Sequence, residues 1–65
     1  MGKFITYIIE YKYIAETGDF VYETKPFRTD NLVQEEYLMY IESEIRAKNG
    51  NFEEFEIIDI KIDYE

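Results

Sequence analysis

Sixty-five residues make one small domain, 1–65, with a correspondingly thin core. Cys and His are both absent, which excludes disulfides, thiolate metal sites and any nucleophile activated by histidine. Fifteen acids against seven bases give a net charge of −8, so the chain is repelled by nucleic acid and anionic membranes and attracts basic proteins.

The packing material is nevertheless ample. Seven Tyr, five Phe and many Ile are large, strand-favouring side chains, and this is the composition of a folded domain. No apolar run approaches a membrane span. The first six residues fit the loose N-myristoylation pattern through Gly2 and Thr6, but Thr6 falls inside a predicted strand, so the expected location is cytoplasmic.

Residues 3–15 read as a long strand. Ile5, Tyr7, Ile9, Tyr11 and Tyr13 alternate onto one face, and Phe4, Thr6, Ile8, Glu10, Lys12 and Ile14 onto the other. A strand apolar on one side and half apolar on the other belongs at the centre of a sheet. Glu16-Thr17-Gly18-Asp19 is a turn in which Gly supplies positive φ. Residues 20–25 return as the second strand, with Phe20, Tyr22 and Thr24 alternating against Val21 and Glu23. Pro26 lacks a donor, so this strand is expected to lie at an edge or end there.

Residues 31–48 carry the helical signal. Val33, Tyr37, Leu38, Ile41 and Ile45 recur at steps of three and four, which places them on one face. Asn31 is the expected cap, with Gln34 reaching back as in a capping box. Asn49-Gly50 supplies the stop. Glu42 with Arg46 and Glu44 with Lys48 are four-residue pairs in the favourable order. Leu32 and Met39 project away from the stripe and Tyr40 flanks it. After a loop or strand entry over 52–55, residues 56–64 read as the last strand, with Ile58, Ile60, Ile62 and Tyr64 on one face and Ile57, Asp59, Lys61 and Asp63 on the other.

These elements predict an α+β fold of order β-β-α-β. The sheet is three-stranded and antiparallel in order 2-1-3, with one helix packed on one face. That order puts the most apolar strand in the middle. The helix is expected to bury Val33, Tyr37, Ile41 and Ile45 on Ile5, Tyr7, Ile9, Tyr22, Ile58, Ile60 and Ile62. Phe4, Ile8, Ile14, Val21, Phe27 and Ile57 are left for the uncovered face, which is either partly wet or a contact surface.

Catalytic chemistry finds little support. Ser43 is the only serine and lies on the solvent side of the helix, and the glycines at 2, 18 and 50 form no phosphate loop. No EF-hand loop is present, so no metal, no cofactor and no enzymatic activity are expected. Tyr-rich strands can stack single-stranded nucleic acid, but such surfaces interleave Lys and Arg, and here the bases are few and scattered.

The acids form rows. Between Glu53 and Glu65 there are six acids and one Lys, and the helix adds Glu35, Glu36, Glu42 and Glu44. Strand residues two apart stand about 6.5 to 7 Å apart on one face. Rows of carboxylates at such steps can occupy a groove built for phosphates, although the same acids also serve solubility. The candidate partner-binding residues are Glu35, Glu42, Asp59 and Asp63, with Phe4 and Ile8 as apolar contacts.

In size, acidity, lack of Cys and strand-strand-helix-strand order, the chain resembles the small inhibitors that bacteriophages make against host nucleic-acid enzymes. The Tyr-rich hairpin with its Glu16-Thr17-Gly18-Asp19 turn, followed by an acidic helix, is most similar to phage inhibitors of uracil-DNA glycosylase. Anti-CRISPR proteins share the same general plan. The resemblance carries no residue over by position. It implies a nucleic-acid mimic acting on a basic, nucleic-acid-processing enzyme, in the host cytoplasm if the chain is phage-encoded. The alternative is a homodimeric structural or accessory module that associates through its open sheet face.

Overall fold

The computed structural model describes residues 3–63. Two features of the sequence reading, Gly2 and the facing of Tyr64, lie outside them. The order of elements is β1 (Ile5–Ala15), β2 (Phe20–Thr29), α1 (Gln34–Asn49) and β3 (Phe52–Ile62). β1 pairs antiparallel with both other strands, so the spatial order is β2-β1-β3, the predicted α+β arrangement.

β1 is central because both of its faces can be used. Ile9, Tyr11 and Tyr13 are buried beneath α1, whose Tyr37, Ile41 and Ile45 complete the core. Burying a side chain of this size stabilises by roughly 1.5–3 kcal/mol, and partly buried residues such as Val21, Phe27, Leu38 and Ile60 pack around these six. The helix covers one sheet face and leaves the other to solvent. The long strands draw the molecule out to 43 × 18 × 16 Å, and its radius of gyration, 12.6 Å, exceeds the roughly 10.7 Å of a compact chain of this length.

The hairpin turns through a three-residue loop, 16–18. Gly18 N–H donates to Ala15 O at 2.8 Å and Ala15 N–H donates to Asp19 O at 2.9 Å. Gly18 takes φ +91°, the position of such a loop that a side chain resists. The loop sets the register Tyr13↔Val21, Tyr11↔Glu23 and Tyr7↔Phe27. Val21 and Phe27 therefore lie on the covered face, and Tyr22 lies on the open one, the reverse of the expectation. Three successive apolar residues, 20–22, left the alternation ambiguous, and the loop length decided it.

β2 also continues through Pro26 to Thr29 instead of ending there. Hydrogen-bonded and non-hydrogen-bonded pairs alternate along an antiparallel ladder. Counting from the bonded Ala15:Asp19 pair puts Pro26 in a non-bonded pair with Ile8. Its nitrogen faces the outer edge, where no donor is needed.

α1 starts three residues later than the sequence suggested. Asn31 does not cap it: its N–H donates to Thr29 Oγ1 at 3.1 Å, and that hydroxyl donates to Asn31 O at 3.0 Å. This local turn competes for Asn31. Val33 becomes the N-cap, without a side-chain bond. The stop falls where expected, with Gly50 at φ +79° and its N–H donating to Arg46 O at 3.0 Å. Leu32 is drawn against the core instead of projecting away, while Met39 is 69% exposed. The two predicted ion pairs along the helix are replaced. Lys48 pairs across to Glu23 on β2, and the Arg46 guanidinium lies 5.3 Å from the centroid of Phe52.

β3 departs furthest from regular alternation. It begins at Phe52, so the segment 52–55 is strand entry and not loop, and two register shifts interrupt its pairing with β1. One falls at Ile58, between the Glu10↔Asp59 and Tyr11↔Ile57 pairs. The other falls between Lys12↔Glu56 and Ile14↔Glu53, around Glu54, which takes φ +52°. The shifts return Ile57 and Phe55 to the covered face beside Ile60, and leave Ile58 45% exposed. The expectation that Ile58 is core and Ile57 open is thereby inverted. No helix among the described residues is long and apolar enough to cross a membrane.

Candidate functional site

The open face is laid out by the strand register in three columns. β1 contributes Phe4, Thr6, Ile8, Glu10, Lys12 and Ile14 down the middle. β2 places Arg28, Pro26, Thr24, Tyr22 and Phe20 beside them in that order, from Thr6 to Ile14. On the other side, β3 sets Asp63 next to Thr6 through an Asp63 N–H to Thr6 O bond of 2.9 Å. Lys61, Asp59, Glu56 and Glu53 then follow opposite Ile8, Glu10, Lys12 and Ile14.

The two outer columns differ in kind. The β2 column is aromatic and carries no acid, with Phe20 69% and Tyr22 65% exposed. The β3 column has four carboxylates and one lysine. The bulges produce this. Glu53, Glu56 and Asp59 are three apart in sequence, yet the two extra residues put all of them on one face, opposite every second residue of β1. Glu53, Glu56 and Asp59 thus follow one another at steps of about 6.6–6.8 Å along the strand, and Asp63 stands two such steps on, beyond Lys61.

Two of the four carboxylates meet a lysine locally, and Glu53 and Asp63 take part in none of the ion pairs among the described residues. Lys12 Nζ meets Glu56 Oε2 at 3.3 Å, and Lys61 Nζ is 3.9 Å from Asp59 Oδ2, both in exposed settings. Asp59 Oδ1 also accepts from Ile60 N–H at 2.9 Å, which fixes its side chain. The Arg28 guanidinium lies 5.7 Å from the centroid of the Phe4 ring and takes part in none of the ion pairs among the described residues.

A second polar cluster sits on the covered face. Tyr11 and Tyr13 are buried to within 1% and stack with centroids 6.2 Å apart. Both hydroxyls donate to Glu23 Oε1, at 3.2 and 3.3 Å. Lys48 Nζ donates to Glu23 Oε2 at 3.0 Å, and Asn49 Nδ2 donates to Tyr13 Oη at 2.7 Å. Burial, followed by the Glu23 carboxylate, pushes both tyrosines above their ordinary range. Burial works against the charge of Glu23, but the bonds from Lys48, Tyr11 and Tyr13 outweigh it and hold its carboxyl below the usual value. The Glu23 contact raises Lys48. Every group here has its partner, and the adjoining open cleft of about 310 Å³ between β2 and the end of α1 carries Glu44 and Lys25 on its walls. The cluster ties the helix C-terminus to the sheet.

The structure divides the six candidate residues between two layers. Phe4, Ile8, Asp59 and Asp63 come together on the open face, with Phe4 60% exposed and Ile8 half-buried. Glu35, exposed in the first turn of α1, and Glu42, half-buried further along it, belong to the layer on the other side of the sheet. Sequence reasoning missed Glu53, Glu56, Phe20, Tyr22 and Arg28. One signal was present: Phe52 with Phe55 and Glu53 with Glu56 repeat at three, a step a regular strand cannot use. Among the described residues no three carboxylates converge on a metal-sized site. Comparison with family models, curated proteins and solved structures finds no match.

Proposed function

We propose that this chain is a small acidic binding protein and not a catalyst, whose open sheet face docks on the basic groove of a protein that handles DNA or RNA. The observation that carries this reading is the β3 column of Glu53, Glu56, Asp59 and Asp63, spaced by the ladder on one rigid strand. Carboxylates held at such steps offer a groove lined with Lys and Arg a row of anions in place of phosphates. Phe20 and Tyr22, on the opposite edge of the same face, are the aromatic anchors. A partner of this kind places the activity in the cytoplasm, that of the host if the chain is phage-encoded.

The test is capture from a bacterial lysate at low salt, with duplex DNA or RNA as competitor. The captured protein should be a nucleic-acid enzyme, released by the competitor and by added salt. A variant with Glu53, Glu56, Asp59 and Asp63 replaced by their amides should lose it. Capture that resists both salt and competitor, or that survives the four amides, rejects the proposal.

A further inference from the structure

We infer that the open face also pairs with the same face of a second copy of this chain, about a two-fold axis lying between the sheets and parallel to β1. The first support is what the edges forbid. Pro26 interrupts the outward donors of β2, and the two bulges interrupt those of β3, so neither edge offers a continuous ladder to another strand. Association therefore falls to the face, where Phe4, Phe20 and Tyr22 are more than half exposed.

Charge then selects the axis. A two-fold perpendicular to the strands would lay the β3 column on itself, setting Asp59 against its own copy and Glu53 against Asp63 twice, against only the two Glu56–Lys61 contacts it would gain. A two-fold parallel to the strands lays β2 over β3 of the copy, row upon row. Arg28 then meets Asp63, and the Thr24 and Tyr22 hydroxyls meet the carboxylates of Asp59 and Glu56. At the middle β1 lies on its own copy, so Glu10 faces Glu10 and Lys12 faces Lys12, and this like-charge cost is offset only along the diagonals, where Lys12 of one copy reaches Glu10 of the other. Arg28, which takes part in none of the ion pairs among the described residues, gains a carboxylate.

Three strands about 4.8 Å apart, each paired over some ten residues, give a face of roughly 14 by 33 Å. Two such faces bury about 1,000 Å², the lower limit for a specific interface, so the dimer should form and dissociate with concentration. It would cover the β3 carboxylates, making self-association and capture of a basic partner mutually exclusive.

Sedimentation velocity of the chain alone, over a dilution series at low salt, tests this independently of the proposed function. The mass should double with concentration. Arg28→Glu and Asp63→Arg should each weaken association by at least about tenfold, since each juxtaposes like charges twice. Mixing the two variants should restore it, because the carboxylate introduced at position 28 of one chain then faces the guanidinium introduced at position 63 of the other. Tyr22→Glu, set against Glu56 of the copy, should also weaken it and replaces either variant that proves unfolded by circular dichroism. A chain monomeric to about 1 mM, a dimer indifferent to these substitutions, or folded variants that fail to rescue one another would overturn the inference.

Discussion

Ile8 and Ile9 are adjacent on β1 and face different environments. Ile9 is fully buried under α1, in a layer where apolar contact and stacked rings leave room for ions only at the margin. Ile8 stands among Pro26, Lys61, Glu10 and Thr6 on a face that no second layer covers among the described residues. The covered face settles the fold, and there Glu23 is admitted only because three donors meet it. The open face contributes little to folding, which leaves its charges free to be arranged for something else. The same strand thus separates what holds the molecule together from what it displays.

The sharpest way to break this contrast is to truncate the two neighbours in turn. Ile9→Ala removes a fully buried side chain and should cost about 3–4 kcal/mol. A chain of this length has only about 3–10 kcal/mol in total, so the variant should be largely unfolded in mild denaturant. Ile8→Ala should cost under about 1 kcal/mol in dilute protein, where no second copy covers the face. Urea midpoints at low concentration measure both. Equal losses would mean that the open face is a core in its own right.

Next in size is the polar tie on the covered side. Glu23→Ala leaves the buried Tyr11 hydroxyl without its acceptor and should cost about 1–3 kcal/mol, with Tyr11→Phe in the same background recovering part of it. The tie also predicts two pH limits. The folded-state pKa of Glu23 is depressed, so its contribution is present above its unfolded value of about 4.3 and is lost as pH falls through the folded value. Tyr11, Tyr13 and Lys48 are raised. Their contribution is complete below about pH 10 and is lost as pH rises through their higher folded values. Urea midpoints at pH 3, 7 and 11 should be highest at 7, and the acid loss should shrink in Glu23→Ala. An unchanged acid loss would place its origin elsewhere.

How much of this was legible in the sequence follows from periodicity. β1 keeps a strict two-residue repeat, and its two faces came out as read. So did the strand order and the helix stripe from Tyr37 to Ile45, whereas Val33 became the N-cap outside the core. The errors gathered where period alone does not decide. Phe20, Val21 and Tyr22 are all apolar, so the face of β2 depended on the three-residue loop set by Gly18. On β3 the alternation is reset twice, and Ile57, Glu53 and Glu56 moved with it. The covered acceptor role of Glu23 depended on Tyr11, Tyr13 and Lys48 converging on it from β1 and α1, which spacing along the chain does not reveal. The candidate site was half legible for the same reason: Asp59 and Asp63 share a regular stretch, whereas Glu56 joins them only through a bulge.

The smallest expected effect sharpens the comparison from the open side. Lys12 and Glu56 meet at 3.3 Å with side chains 38% and 65% exposed, so each keeps much of its hydration and the pair is screened by salt. Glu56→Gln should therefore change stability by no more than about 0.5 kcal/mol, against about 1–3 for Glu23→Ala on the other face. The measurement is a urea midpoint at low and high salt, with any difference vanishing at high salt. A loss near that of Glu23→Ala would show that the ladder depends on the carboxylate column for its own folding. Those acids would then be structural, and their use as a display to a basic partner would lose its physical basis.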